Sequence, residues 1–156
     1  MTDKPYRFSP IQSKDQLIEA VRYVATETSK LAEKITGKVF PIVYLTIFSH
    51  SQSEYETLIK ILATMGTPYS ANNGLRADLS TPITAGKSSI TKLRIRKPDP
   101  ERPQVGCDDF EVDYESFKDQ YLAAHPESLR LIKRPEYEMI EFFDPGFDVL
   151  AYVVSK

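Results

Sequence analysis

A ten-residue segment rich in proline divides this chain into two stretches whose predicted elements follow the same order. The segment spans 97–106 (KPDPERPQVG), and its three prolines exclude regular secondary structure along its whole length. On each side the pattern predicts a strand, a helix and then three more strands. Such a repeat indicates two βαβββ modules that complete one core. We therefore expect a single domain over 1–156, with an N-terminal helical segment at 1–38 and modules at 40–97 and 103–155.

The first module is predicted from β-branched and aromatic runs and from a helix cap. Residues 42–48 and 90–96 have the composition of strands, and Ser51 with Glu54 forms a capping box for the helix between them. That helix is expected to end at Gly66. In the second module the same rules predict strands at 105–112, 129–133, 137–143 and 148–154, and a helix that begins after Asp113 and ends near Ala124.

A long amphipathic helix is predicted ahead of the first module. Ser13 and Gln16 form a capping box at its start, and Gly37 supplies its end. Between them apolar positions recur at steps of three and four, at Leu17, Val21, Val24, Thr28, Leu31 and Ile35. The stripe favours docking onto the domain's own sheet, with a coiled-coil seam as the alternative. The fold class is therefore α+β, with two tandem βαβββ modules forming a curved mixed sheet behind a long N-terminal helix.

Bulk composition narrows the range of partners. The net charge of −2 gives no electrostatic reason to expect binding to nucleic acid or to an anionic membrane. No stretch approaches the roughly 20 apolar residues that span a bilayer, and the first ten residues lack the apolar core of a secretory signal. The single cysteine, Cys107, excludes an internal disulfide and is expected to be a buried thiol. We expect a cytoplasmic protein.

The two modules resemble those of the vicinal oxygen chelate superfamily, which contains glyoxalase-like and bleomycin-resistance-like proteins. The resemblance is carried by residues 106–152 (GCDDFEVDYESFKDQYLAAHPESLRLIKRPEYEMIEFFDPGFDVLAY) and, for the opening strand and helix, by 44–68 (YLTIFSHSQSEYETLIKILATMGTP). It implies a cup-shaped sheet that holds a small molecule, and it makes a homodimer a further expectation. It leaves the N-terminal helix unexplained.

The metal chemistry of that superfamily is not expected in this chain. The superfamily holds its metal with His and Glu side chains on the first and last strands of the modules. Strands 42–48 and 105–112 contain no His, and the expected Glu position of the last strand falls near Ala151. We therefore predict no metal site and no cofactor.

A cationic strand face is the main candidate for ligand binding. Lys92, Arg94 and Arg96 alternate along the strand 90–96, so their side chains lie on one face of the sheet. On a cup-shaped sheet they could hold a carboxylate or phosphate through paired hydrogen bonds, with Tyr137 as a further ligand-binding residue. The alternative is a solvated face, or pairing with acids across the sheet.

Two residues are candidates for acid–base catalysis. Glu141 lies among apolar neighbours on the strand 137–143 and is either a proton shuttle or half of an ion pair with Arg94 or Arg96. His50 follows a strand and precedes a helix cap. It is either a general base or a solvent-facing histidine.

Two adjacent acids in the predicted strand 105–112, and the second histidine of the chain, are not expected to be catalytic. Asp108 and Asp109 are expected at an exposed turn or strand edge. His125 precedes a proline at a helix end, where a positive charge suits the helix dipole.

The leading hypothesis from sequence is metal-independent binding of a small anionic molecule in a cup-shaped sheet. One alternative is a lyase or isomerase that moves a proton with Glu141 or His50. The other is an interaction module that assembles through the N-terminal helix or a sheet edge.

Overall fold

The structure is a computed structural model that describes residues 7–71 and 74–155. Its elements in chain order are α1 (Lys14–Thr36), β1 (Ile42–Phe48), α2 (Gln52–Ala63), β2 (Gly66–Ala71), β3 (Gly74–Ala85), β4 (Ser88–Arg96), β5 (Gly106–Phe110), α3 (Tyr114–Phe117) with a π-helical continuation (Lys118–Leu122), β6 (Leu129–Lys133), β7 (Glu138–Phe142) and β8 (Val149–Val154). No helix among these residues is long and apolar enough to cross a membrane.

All eight strands form one mixed sheet in which the two modules lie side by side. The strand order is β2-β3-β4-β1-β5-β8-β7-β6. Within each module the first strand pairs in parallel with the last, β1 with β4 and β5 with β8. The two first strands pair with each other in antiparallel orientation and join the modules at the centre of the sheet. The predicted α+β class with tandem βαβββ modules behind a long helix is confirmed.

Helix α1 begins and ends where the sequence predicts. The Gln16 amide donates to Ser13 Oγ over 3.2 Å, and Gly37 closes the helix at φ 80°. The Gln16 side chain accepts from the amide of Gln12, so each side chain of the predicted box binds an amide at the helix start. The apolar stripe is buried along its whole length against the chain's own sheet, as expected: Leu17, Val21, Val24, Thr28, Leu31 and Ile35.

The other two helices are shorter than predicted. Helix α2 ends at Ala63, and Gly66 belongs to β2 instead of ending the helix. A Cβ atom at Gly66 would lie 2.0 Å from the backbone oxygen of Asp78, so only glycine permits this close pairing with β3. Helix α3 gives way after Phe117 to a π-helical turn, which keeps the ring of Phe117 packed on that of Tyr121 at 4.9 Å.

The two faces of the sheet carry different cores. The helices cover one face, where the main core includes Leu17 and Leu31 of α1 packed with Leu45 and Ile47 of β1. The opposite face carries a smaller apolar cluster formed by Phe48, Cys107, Leu150 and Tyr152. A functional site on this second face is therefore built directly on strands.

Candidate functional site

A cleft of about 660 Å³ lies on the face of the sheet that the helices leave open. Strands from both modules line it, since Tyr44, Thr46 and Phe48 come from β1 while Tyr152 and Val154 come from β8. This volume is in the range of pockets that hold small molecules. The cup that the sequence predicts thus has a counterpart at the junction of the two modules.

Arg94 and Arg96 both reach this cleft from β4. Arg94 Nε donates to Thr46 Oγ1 over 3.2 Å, and its guanidinium lies 5.9 Å from the Tyr44 ring centroid. Lys92, on the same strand, is exposed and lies outside the lining, where it pairs with Asp78 at 3.1 Å. The structure therefore brings two of the three predicted cations to the cleft.

The guanidinium of Arg96 is incompletely satisfied. Its Nη2 lies 3.6 Å from Asp99 Oδ2, while its buried Nε has no hydrogen-bond partner among the described residues. Burial lowers the pKa of Arg96, and the neighbouring charges of Arg102 and Arg94 act in the same direction. An acceptor placed in the cleft would satisfy this donor and offset the repulsion.

Arg76 is held in place by two tyrosines. It lies across the β3–β4 pair from Arg94. Its Nε donates to Tyr69 Oη over 2.7 Å and its Nη1 to Tyr44 Oη over 2.9 Å, and its guanidinium lies about 5 Å from both ring centroids. This cation is preorganised before any ligand binds.

Two further arginines come from loops. Arg102 belongs to the segment between the modules, and its Nη1 donates to Tyr152 Oη over 3.2 Å. Arg134 lies on the β6–β7 turn with Glu136 and Tyr137, the latter 42% exposed. Among the described residues that line the cleft, five carry a guanidinium group and two carry a carboxylate. The cleft therefore favours an anion.

The expected exposure of the two adjacent aspartates is wrong. Asp108 is 1% exposed and faces α1, whereas Asp109 is half-buried and lines the cleft. Consecutive residues of a strand point to opposite faces, so one of the two had to lie beneath the helices. Burial raises the pKa of Asp109 to about 6, and Arg94 acts in the opposite direction.

The second module contributes the apolar part of the cleft. Met139 and Val154 line it beside Tyr152, and all three belong to the small apolar cluster with Phe48. Cys107 lies in the same cluster, and burial raises the pKa of its thiol to about 12. The cleft thus combines the arginines of β3 and β4 with an apolar surface on β7 and β8.

Glu141 forms an ion pair, but its partner is neither Arg94 nor Arg96. Its Oε1 accepts from Arg130 Nη2 and its Oε2 from Tyr152 Oη, each over 2.8 Å. Arg130 is its direct neighbour across β6 and β7, while β4 is four strands away, about 19 Å at the usual spacing. Glu141 is not among the residues that line the cleft.

His50 is also outside that lining and belongs to a separate buried network. Its Nδ1 lies 2.8 Å from Ser9 Oγ and its Nε2 lies 2.9 Å from the carbonyl oxygen of Gln104. The amide of His50 donates to Glu54 Oε1 over 2.7 Å. Burial lowers the pKa of His50, and the Gln104 carbonyl acts in the opposite direction. The solvent-facing alternative is wrong, because Ser9 of the N-terminal segment and the Gln104 carbonyl contact the ring and its side chain is 7% exposed.

Several cleft residues escaped prediction from sequence. Arg76 was visible only as part of an alternating strand, and no local signal marked Arg102 or Arg134. Asp109 could have been found, because two consecutive acids on a predicted strand place one on each face. Within 7–71 and 74–155, no group of three or more His, Cys, Asp or Glu side chains is arranged to hold a metal ion.

Comparisons with known proteins bear on the fold alone. No family model matches the chain, and no curated protein matches it. A solved structure described as "Structural Genomics, Protein EC4020" is similar over 100% of this chain and 93% of its own length, with a TM-score of 0.69 and 11% identity. The chain therefore shares its overall arrangement with a known structure.

Proposed function

We propose that the chain binds a small organic anion in the cleft, through guanidinium groups and independently of a metal ion. Arg94 and Arg96 are the residues that hold the anionic group, and Arg76 and Arg102 add positive charge around it. Paired N–H donors of arginine match the geometry of a carboxylate or phosphate.

The observation that carries this proposal is the unsatisfied Nε of Arg96. A buried N–H group without an acceptor costs free energy, and here two like charges lie close to it. An anion would supply the missing acceptor and neutralise the repulsion at once. The apolar surface of Met139 and Val154 indicates that the rest of the ligand is apolar.

The proposal is tested by titration calorimetry with 3-phenylpropanoate, a carboxylate on an apolar body. We expect saturable binding to the wild type, weakened roughly tenfold or more by Arg96→Met and by Arg94→Met, since a charge-assisted hydrogen bond is lost in each. Methionine retains the apolar stem while removing the charge.

Lys92→Met is the matched control, because Lys92 lies on the same strand but outside the cleft. Its affinity for 3-phenylpropanoate is expected to equal that of the wild type. Equal weakening by all three substitutions would mean that general surface charge attracts the anion, and unchanged binding by the Arg96 variant would refute the proposal.

We also propose a distant relationship to the vicinal oxygen chelate superfamily. It is supported by the tandem βαβββ modules and by a cleft on the helix-free face of the sheet. The metal chemistry of that superfamily is not part of the proposal.

A further inference from the structure

Asp109 lines the cleft near the arginines of β3 and β4, which act on it through their charge. It lies opposite Tyr44 across the β1–β5 pair and lines the cleft together with Arg94 and Arg76. Arg76 is held by tyrosines, and Arg94 Nε donates to Thr46. In the part of the chain that the structure describes, the Asp109 carboxylate makes no hydrogen bond and no ion pair. Its acceptor capacity is therefore unused.

This carboxylate would lie close to a bound anion. The guanidinium of Arg94 lies against Thr46 and the ring of Tyr44, and the cross-strand neighbours of these two residues on β5 are Cys107 and Asp109. An anionic group on Arg94 would thus come near Asp109, which repels it when ionised. With a pKa of about 6, the carboxylate is mostly ionised at neutral pH and then only accepts hydrogen bonds. A donor on the ligand would remove the conflict.

The charge of the cleft indicates which donor fits. An ammonium group would satisfy Asp109, but the guanidinium groups of the cleft would repel it. Among the described residues that line the cleft, these groups outnumber the carboxylates. A hydroxyl group donates a hydrogen bond without adding a charge. The donor should also lie near the anionic group, because only β1 separates the strands of Arg94 and Asp109 and the charge of Arg94 acts on the Asp109 carboxyl group.

We propose that the ligand is an organic anion that carries a hydroxyl group, with the anionic group on Arg94 and Arg96 and the hydroxyl donated to Asp109. This inference rests on the proposed function and adds Asp109 as its specificity-determining residue. The apolar body of the ligand extends toward Phe48 and Tyr152, the apolar lining nearest to Arg96 and Arg102.

Three probes that differ in one substituent test the inference by titration calorimetry. 3-Phenylpropanoate has no donor, 3-phenyllactate adds a hydroxyl beside the carboxylate, and phenylalanine adds an ammonium there. We expect the wild type to bind 3-phenyllactate roughly tenfold or more tighter than 3-phenylpropanoate, and phenylalanine more weakly than 3-phenyllactate.

Substitutions at Asp109 should change this preference selectively. Asp109→Leu keeps a side chain branched at the same position but has no acceptor, so 3-phenyllactate should lose its advantage. Asp109→Asn keeps one acceptor oxygen and should retain part of the advantage of 3-phenyllactate. Asp78→Asn removes an exposed acid outside the cleft and should preserve the wild-type preference. A thermal melt of each variant establishes that it is folded.

The outcomes separate this inference from the proposed function. Absence of binding for all probes would overturn both. Binding that depends on Arg96 but shows no preference for the hydroxyl, or a preference that survives Asp109→Leu, would overturn the role of Asp109 alone. Tightest binding of phenylalanine would replace the hydroxyl by an ammonium group and contradict the charge argument.

Discussion

At the scale of single residues, the buried carboxyl group of Asp108 contacts the hydroxyl of Thr28 on helix α1. Thr28 Oγ1 lies 2.5 Å from Asp108 Oδ2 and 3.2 Å from the carbonyl oxygen of Ala25. One hydroxyl proton cannot serve both acceptors, whereas a protonated Asp108 can donate to Thr28, which then donates to Ala25. Burial raises the pKa of Asp108 well above its ordinary value and the charge of Asp109 adds to the effect, whereas the hydrogen bond with Thr28 acts in the opposite direction. Both the hydrogen-bond geometry and the net pKa direction favour a neutral carboxyl group at this contact between β5 and α1.

We expect Asp108→Asn to flatten the dependence of stability on pH. Because the folded-state pKa is raised, the unfolded state releases this proton first, and wild-type stability declines as pH rises above about 4. The asparagine amide keeps a donor for Thr28 and does not ionise. The unfolding free energy of Asp108→Asn relative to the wild type should therefore increase with pH.

Urea unfolding at a series of pH values measures this difference. Thr28→Val, which removes the hydroxyl but keeps the shape, should destabilise the protein by about 1–3 kcal/mol. Parallel pH profiles for the wild type and Asp108→Asn would mean that Asp108 is ionised in the folded protein.

At the scale of elements, the pairing of β1 with β5 depends on one close backbone approach. A Cβ atom at Gly106 would lie 2.2 Å from the backbone oxygen of Thr46 and 3.2 Å from Cγ2 of Val24. Glycine therefore allows β5 to approach both the neighbouring strand and the helix above it. This contact joins the two modules and positions Cys107 and Asp109 in the cleft.

Gly106→Ala should destabilise the protein by about 1–3 kcal/mol or more, because a rigid backbone atom occupies the space that the methyl group needs. Gly146→Ala is the control, since its nearest obstacle is the side-chain oxygen of Asp144 at 3.2 Å. Chemical denaturation of both variants measures the difference. Equal, small losses would show that β5 shifts without cost and that the junction is loosely packed.

At the scale of the whole molecule, Glu54 connects parts of the chain that are distant in sequence. Its Oε1 accepts from the amide of His50 and its Oε2 from the amide of Ile11, and Ser9 Oγ lies within 2.9 Å of both oxygens. His50 in turn contacts the carbonyl of Gln104, in the segment between the modules. The network therefore ties the N-terminal segment to the first module and to the segment between the modules.

We expect Glu54→Gln to lower the unfolding free energy by about 2–3 kcal/mol. Both carboxylate oxygens accept, so the amide nitrogen of glutamine would face a backbone N–H or a hydroxyl that needs an acceptor. Glu56→Gln, on the exposed side of the same helix, should change the free energy by less than about 0.5 kcal/mol. Similar losses in both variants would assign Glu54 only a surface role.

Much of the fold follows from local patterns. The limits of α1 follow from Ser13 and Gly37, and its burial follows from the apolar stripe. The end of α2 was misjudged because Gly66 serves a strand pairing with β3, a requirement that no local pattern reveals. The side-chain partner of Glu141 was misjudged for the same reason, since it depends on which strand is adjacent.

The sequence by itself determined the α+β class, the repeated modules and the common face of Arg94 and Arg96, because capping, periodicity and alternation act over a few residues. Only the tertiary structure decided which side chains share the cleft. Strand order and register bring Arg76, Arg94 and Asp109 together from strands far apart along the chain, and loops add Arg102 and Arg134. Such juxtapositions depend on how all eight strands pack at once, and no short stretch of sequence contains that information.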